Sequence, residues 1–128
     1  MSWEFDSNKP IYIQLVESLK LKIISGQLAA GSKLNSVRDL AEEAGVNPNT
    51  MQRALQEIER ENLVYSQRTS GRFVTDNMEH IKSMRSEYAT AKINEVTAAL
   101  LQLGYTKNEL LTLIERSLKN NQEEVSTN

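Results

Sequence analysis

Apolar residues in the first sixty positions recur at spacings of three and four, the period of amphipathic helices that bury one side. The pattern predicts three helices. Their inward positions are, in chain order, Tyr12, Leu15, Val16, Leu19 and Ile23, then Val37, Leu40, Ala41 and Ala44, then Met51, Ala54, Leu55 and Ile58. Pro10 suits the start of the first helix, and Gly26 predicts its end before a loop that extends to Gly31.

A very short turn separates the second and third predicted helices. Ser36 is the predicted N-cap of the second helix, and Gly45 stands just past its end. Asn47 and Pro48 form a strong helix start, because Asn caps free N–H groups and Pro is tolerated in a first turn. Since only Val46 lies between the two signals, the two helices must cross at a steep angle.

Two short runs of β-type residues follow the third helix, which is predicted to end near Glu61. The runs are Leu63–Tyr65 and Arg72–Val74, and they flank the polar segment Ser66–Gly71. This arrangement predicts a β-hairpin with a polar tip. Its strands are too short to be stable alone, so the hairpin must pack on the helices.

The pattern from Asp76 onward is helical, with no Pro and a single Gly, Gly104. Asp76 and Glu79 have the spacing of a capping box and predict the start of a fourth helix that runs almost to Gly104. Thr106 and Glu109 form a second capping box, which predicts a fifth helix with a broad leucine-rich face.

The apolar residues of these last two helices are more numerous than two helices can bury between themselves. We therefore predict a symmetric dimer in which two tails complete one core. The predicted interface residues are Ile93, Val96, Leu100, Leu103, Leu110, Leu111 and Ile114. The alternative is a core formed within one chain, against the N-terminal domain. The chain is predicted to divide into an N-terminal domain at residues 1–75, a dimerisation domain at 76–120 and a polar, disordered tail at 121–128.

Composition excludes several classes of protein. The chain has 128 residues, 39% of them hydrophobic, and no Cys, so disulfides, thiolate zinc sites and thiol catalysis are absent. No nucleophile accompanies a His base and no Gly-rich loop can bind phosphate, so the chain is not expected to be an enzyme or to hold a cofactor. His80, beside Asp76 and Glu79, is interpreted as a solvated side chain, and no metal is expected.

No signal sequence or long apolar stretch is evident, so we expect a cytoplasmic protein with no membrane partner.

The outer face of the third predicted helix carries Asn49, Gln52, Arg53 and Gln56 and no acidic residue. Asn and Gln can bond adenine with two hydrogen bonds, and Arg can bond guanine or phosphate. Most polar helix faces are simply solvated. This face, however, lies near the start of the second helix of a tight helix pair, where recognition helices meet base edges, so we interpret it as a surface for double-stranded DNA.

The balance of charge is consistent with DNA binding only if the charges are segregated. Residues 33–75 hold six basic and six acidic side chains, and the whole chain has a net charge of −2. The acidic residues are expected mostly on the back and far ends of the helices. The basic residues that can share one side are Lys33, Arg38, Arg53, Arg68 and Arg72. A handful of phosphate contacts would give salt-sensitive binding.

Residues 10–74, with the motifs SVRDLA, GVNPNT, QRAL and RTSGRFV, resemble the winged helix-turn-helix domain of GntR-type bacterial transcription regulators. The two-helix tail resembles the YtrA-like subgroup, which has a small dimerisation domain. The resemblance implies a mainly α fold with a small β-hairpin wing, followed by a two-helix dimerisation tail. It also implies a sequence-specific regulator, expected to be a repressor, of the kind often encoded with ABC transporters.

The resemblance also assigns roles to residues at the matching positions. Ser36 and Arg38 would contact the phosphate backbone or a base, and Gly71 would belong to a wing in the minor groove. The full set of implied DNA contacts is Ser36, Arg38, Asn49, Thr50, Gln52, Arg53, Arg68, Gly71 and Arg72. The chain departs from the usual pattern at Asn35, where Pro is common, and at Thr69, where Gly is common. Gln52 often has Arg as its counterpart, so adenine is favoured there.

A dimer of such domains would bind an inverted-repeat operator with half-sites about 34 Å apart. The alternative is a winged-helix adaptor that binds a protein partner without DNA. The sequence does not identify the operator or the regulated genes. It does not identify a small-molecule effector either, and a tail of this length is short for a ligand pocket.

Overall fold

The computed structural model describes residues 3–126, and the side chains of residues 3–122. The elements are α1 (Ile11–Ile24), α2 (Val37–Ala44), α3 (Pro48–Arg60), β1 (Val64–Gln67), β2 (Gly71–Val74), α4 (Met78–Gln102) and α5 (Lys107–Ser126). The predicted fold class, mainly helical with one antiparallel hairpin, is confirmed. The chain forms two compact units, which divide between Arg85 and Ser86 within α4.

The core of the first unit lies where α1 and α2 pack on α3. Its largest fully buried side chains are Leu15, Leu19, Ile23, Leu40, Met51, Leu55, Ile58, Leu63, Val64 and Val74. All four predicted inward positions of α3 are buried, so the predicted orientation of this helix is confirmed. Tyr12, Val16, Val37 and Ala44 were predicted to face inward but are only half-buried, because they lie at the edges of their helix faces.

The turn between α2 and α3 forms as predicted. Gly45 has a φ of 71°, in the left-handed region that Gly adopts without strain. The Val46 N–H donates to the carbonyl oxygen of Ala41 at 3.0 Å, which completes the end of α2. Ser36 caps α2 by accepting the Asp39 N–H at 3.1 Å, and the Asn47 side chain accepts the Asn49 N–H at 2.8 Å. Both helix starts therefore have the capping residues that the sequence predicts.

The hairpin strands are longer than predicted, and the tip consists of residues 68–70. The aromatic rings of Tyr65 and Phe73, partners across the strands, stack with centroids 5.7 Å apart. The segment before α2 also pairs with β2, since the Leu34 N–H donates to the Arg72 carbonyl oxygen at 2.9 Å. An isolated bridge joins Lys33 to Phe73. The sequence did not predict this pairing, because so short a stretch carries no alternating pattern.

The predicted capping box at the start of α4 is wrong by one residue. Asn77, and not Asp76, caps the helix, and its side-chain oxygen accepts the N–H of His80 at 3.1 Å. The Thr75 hydroxyl accepts the N–H of Asn77 at 3.1 Å and so fixes the approach to the helix. Thr75 is buried, so this hydrogen bond anchors Asn77 to the core at the start of the helix.

The first turns of α4 are tied to the ends of two other helices in the same unit. The His80 Nε2 lies 2.8 Å from the carbonyl oxygen of Glu61 and donates to it, since a carbonyl oxygen only accepts. The Arg85 Nε donates to the carbonyl oxygen of Ile24 at 2.7 Å. Donors and cations are favourable at the C-terminal ends of helices. The prediction that His80 is simply solvated is therefore wrong, because it is half-buried and bonded.

In the second unit, Gly104 separates α4 from α5 with a φ of 96°. The predicted capping box of α5 is confirmed: the Glu109 carboxylate accepts the Thr106 N–H at 2.9 Å, and the Thr106 hydroxyl accepts the Glu109 N–H at 3.2 Å. α5 extends to Ser126, beyond the predicted end of the ordered chain at residue 120, because no Gly or Pro follows Gly104. Residues 127 and 128 of the predicted disordered tail lie outside the described residues.

The capping box yields a prediction for the titration of Glu109. Hydrogen bonds from the Thr106 backbone and side chain lower the pKa of this carboxyl. The ionised Glu109 carboxylate therefore stabilises the folded chain at pH values above the ordinary pKa of a Glu. This stabilisation is lost as the pH falls through the lowered pKa. Thr106→Ala removes the side-chain contribution and keeps the backbone N–H, so it should raise the pKa of Glu109 part of the way toward its ordinary value, measured by NMR titration of the side chain.

The matched control is Thr112→Ala, because the Thr112 hydroxyl donates to the Asn108 carbonyl oxygen inside α5 and makes no cap. A pKa of Glu109 that responds equally to both substitutions would contradict the capping assignment.

Candidate nucleic-acid interface

The outer face of α3 presents polar side chains that are free to bind a partner. Asn49, Arg53 and Gln56 are exposed, and Gln52 is half-buried. The amide groups of Asn49, Gln52 and Gln56 form no hydrogen bond with any residue that the structure describes. These are the groups that can donate to and accept from a base edge at the same time. Thr50, also predicted as a contact, is half-buried at the edge of this face.

Arg53 has a partner that the sequence did not predict. Its guanidinium carbon lies 4.5 Å from the centre of the Tyr12 ring, which belongs to α1. This is the geometry of a cation–π contact. Within residues 3–122 no carboxylate forms an ion pair with Arg53, so its charge is not cancelled.

The acidic residues of α3 and its C-cap are each matched by a basic residue. The pairs are Glu57 with Arg60 at 2.9 Å, Glu59 with Arg72 at 4.0 Å, and Glu61 with Lys20 at 2.9 Å. Such surface pairs contribute little to stability, but they cancel charge locally. The carboxylates of α3 therefore do not oppose an approaching polyanion as strongly as the composition implies.

Of the five basic residues predicted to share one side, four form no ion pair with a described carboxylate. Lys33, Arg38, Arg53 and Arg68 are exposed, and none of them has an ion-pair partner among the described carboxylates. The three carboxylates of α2 also lack a cation, and one of them, Glu43, accepts a hydrogen bond from the Asn35 side chain at 3.0 Å. Nearby cations therefore neutralise the carboxylates of α3 and its C-cap, whereas the carboxylates of α2 have no ion pair with a described cation.

A groove of about 630 Å³ lies between the hairpin and the start of α2. It brings together Ser36, Gly71 and Arg72, which the sequence placed in different motifs, and adds Lys33. A side chain at position 71 would place its Cβ 3.4 Å from the Lys33 Cε, and Gly71 has a φ of 103°. The positive φ therefore favours Gly at position 71, whereas a Cβ there would make only an ordinary contact with the flexible end of Lys33.

Arg72 lies deeper than a wing contact would require. Its side chain is 19% exposed, and its Nε is buried without a hydrogen bond, 4.0 Å from a Glu59 carboxylate oxygen. The Ser66 hydroxyl donates to the same carboxylate. Arg72 and Ser66 thus join the hairpin to α3, whereas Arg68 lies exposed at the tip. This link has no signal in the sequence, because it depends on how the strands lie across α3.

The second unit leaves most of its apolar side chains exposed. Among residues 86–122 only Leu110 is buried, at 6% exposure. The other predicted interface residues are Ile93, Val96, Leu103, Leu111 and Ile114, which are exposed, and Leu100, which is half-buried. Leu101 and Leu118, which were not predicted, are also exposed. In the described part of the chain, α4 and α5 have almost no close backbone contact with each other.

The described residues offer neither a metal site nor a membrane span. No group of three His, Asp or Glu side chains there is arranged to hold a metal ion. None of the helices in residues 3–126 combines the length and the apolar content needed to cross a bilayer.

Comparison with known proteins places this geometry in context. Residues 11–74 match the family described as "Bacterial regulatory proteins, gntR family". The HTH-type transcriptional regulator YhcF of Bacillus subtilis is 33% identical over 111 residues, which are 87% of this chain and 92% of YhcF. The HTH-type transcriptional repressor YtrA of the same organism is 38% identical over 71 residues, 56% of this chain and 55% of YtrA.

A solved structure has the same organisation along nearly its whole length. It is a GntR family transcriptional regulator from Listeria monocytogenes, with a TM-score of 0.82 and 33% identity over 88% of this chain and 98% of that one. The likeness therefore includes much of the second unit as well as the first. Since the matched family segment runs from the start of α1 to the end of β2, the chain belongs to the GntR family of bacterial transcription regulators, which share a winged-helix DNA-binding domain.

Proposed function

We propose that the protein is a repressor that binds an inverted-repeat operator as a homodimer, with α3 in the major groove. The observation that carries this proposal is the outer face of α3, where three unbonded amide side chains and an uncancelled Arg lie on one surface. A helix in the major groove needs donors and acceptors that are free and a surface without net negative charge. The inward burial of Met51 and Ile58 points this face away from the protein core.

Base selection rests on the amides of α3. Asn49 and Gln52 can each make two hydrogen bonds to adenine, and Gln56 extends the same face by one turn. Because Gln52 is half-buried, fewer of its rotamers are accessible, which favours a single pairing geometry. We therefore expect adenine at the operator positions that meet Asn49 and Gln52.

We assign contacts with the DNA backbone to the exposed cations around α3. Arg38 lies in the first turn of α2, close to the cap formed by Ser36. Arg68 lies at the exposed hairpin tip, where an Arg can enter a narrow, electronegative minor groove. Lys33 borders the groove between these elements. We assign Arg72 a supporting role, because its side chain is mostly buried against Glu59.

The exposed apolar surface of the second unit supports the homodimer. Two helices with one buried side chain between them lack a core, and helices in water depend on packing of an apolar face. A second copy offers the same face, so a two-fold arrangement would cover both at once. We place Leu110 within the packing of a single chain, because it is already buried there.

Repression is supported by the relative YtrA of Bacillus subtilis, which is described as a transcriptional repressor. A dimer bound across a promoter would exclude the polymerase by steric block. By resemblance to the YtrA-like subgroup, we infer that the regulated genes include an ABC transporter operon. Such a regulator acts on the chromosome, in the bacterial cytoplasm.

Selection of bound fragments from a pool of random duplex DNA tests the readout. We expect an inverted repeat with half-sites about one helical turn apart. Gln52→Ala should weaken binding to the selected duplex by about 1–3 kcal/mol and relax the preference for one base pair in each half-site. Gln27→Ala, which removes an exposed amide outside α3, is the control. Equal effects of the two substitutions would argue against base readout by Gln52.

Salt dependence distinguishes DNA binding from the protein-adaptor alternative. The affinity for duplex DNA should fall steeply between about 50 and 200 mM salt, because phosphate contacts release counterions. Arg38→Ala removes one phosphate contact in each protomer of the dimer, so it should lessen the slope of log K against log salt by about 1.8, measured by fluorescence anisotropy. Arg116→Ala, an exposed Arg of α5, should leave the slope unchanged. An adaptor would bind no duplex at the lowest salt concentration.

The dimer has its own test at Ile93, which is 63% exposed in the single chain. Ile93→Arg places a charge in the proposed interface without disturbing a buried position, so it should give monomers in light scattering. Asn94→Arg adds the same charge on a different side of α4 and should leave the dimer intact. A dimer that persists in Ile93→Arg would exclude this stripe from the interface.

A further inference from the structure

We propose that Tyr12 of α1 is a positioning residue for Arg53, whose guanidinium it holds in place for a phosphate of the DNA backbone. The inference rests on the proposed DNA-binding function and extends it to a residue outside the recognition helix. Its basis is the cation–π contact in which the guanidinium carbon of Arg53 lies 4.5 Å from the centre of the Tyr12 ring.

The position of Arg53 on α3 favours a phosphate over a base. With 3.6 residues per turn, Asn49, Gln52 and Gln56 lie toward one side of the outer face, and Arg53 lies toward the other. That other side is where Tyr12 is, on the helix that packs along α3. The contact therefore draws the guanidinium away from the row of amides. The DNA backbones flank the groove in which a recognition helix lies, so a guanidinium drawn toward α1, beyond the row of amides, lies nearer a phosphate than a base edge.

The stacked arrangement leaves the guanidinium able to bind. An Arg that lies on an aromatic ring uses the face of its planar group, while its N–H donors point outward from the edge. Arg53 forms no ion pair within the described residues, and it is exposed. Its charge and its donors thus remain available to an anion, and the ring reduces the rotamer freedom that binding would otherwise remove.

The support beneath Tyr12 is rigid. Leu15 and Leu19, on the following turns of α1, are fully buried, and α1 packs on α3. The core therefore fixes the Tyr12 backbone relative to α3. The same burial shows that the packing of α1 on α3 does not depend on the Tyr12 ring, which lies half-buried at the edge of that contact. A positioning role can therefore be separated from a role in stability.

The test measures binding to a mixed-sequence duplex of about 30 base pairs, long enough for two half-sites one helical turn apart. The full-length protein and its variants are compared over a series of salt concentrations. Tyr12→Leu removes the ring, Tyr12→Phe keeps it, and Arg53→Ala removes the cation. Ile13→Ala, at a neighbouring exposed position of α1, is the control. Thermal unfolding of each variant verifies that the fold is intact.

We expect Tyr12→Leu to weaken binding about two- to fivefold per half-site, or about five- to thirtyfold for a dimer on two half-sites, the range that loss of a cation–π contact at an exposed site supports. The salt dependence should become shallower in the same direction as in Arg53→Ala. Tyr12→Phe and Ile13→Ala should bind like the unchanged protein. In the Arg53→Ala background, Tyr12→Leu should have no additional effect, because the group that it positions is gone.

Three results would overturn the inference. If Tyr12→Leu leaves affinity and salt slope unchanged while Arg53→Ala reduces both, Arg53 binds DNA without help from Tyr12. If Tyr12→Phe weakens binding as much as Tyr12→Leu, the Tyr hydroxyl contacts DNA itself. If the unchanged protein binds no duplex at low salt, the proposed DNA-binding function fails, and the inference fails with it.

Discussion

The burial of one face of α3 is the constraint on which the rest of the first unit depends. Met51, Ala54, Leu55 and Ile58 are all at most 1% exposed, in the core where α1, α2 and β1 pack on α3. An α-helix with one side fixed inward has no freedom in what it presents outward. The turn at Gly45 sets where α3 begins. Core packing and backbone geometry together thus determine which polar side chains face a partner, before any of them contacts one.

The charge of the α3 surface depends on which acidic and basic side chains are paired, and not on the net charge of the chain. The composition argues against a polyanion partner, because the chain has a net charge of −2. Each carboxylate on α3 and its C-cap, however, lies beside a cation, and these cations come from α1, α3 and β2. Lys33, Arg38, Arg53 and Arg68 form no ion pair with a carboxylate that the structure describes. A surface of positive character can therefore form in an acidic chain, provided that the acidic residues are matched within the fold.

Local signals made much of the fold predictable. The helices, the left-handed Gly45 and the Thr106 capping box depend on residues a few positions apart, and the sequence displays these directly. The capping residue of α4 was predicted wrongly because Asp76 and Asn77 are both good capping residues. In the structure Asn77 is the cap, and its own N–H is bonded to the hydroxyl of buried Thr75. The exposed face of α3 was predictable from its periodicity. The contacts around this face were not predictable from the sequence, because the stacking of Arg53 on Tyr12 and the burial of Arg72 join segments distant in the chain.

The attachment of the hairpin to α3 has a consequence for recognition under the proposed function. Val64 and Val74 are buried, β1 packs on α3, and the Ser66 hydroxyl donates to the Glu59 carboxylate, so the strands are packed against the helix that they accompany. Only the short tip, residues 68–70, is left to adapt. A duplex engaged at both places must then offer adjacent grooves at a separation dictated by the protein. Sequences that reach this shape at low deformation cost would be preferred, even at base pairs that no side chain touches.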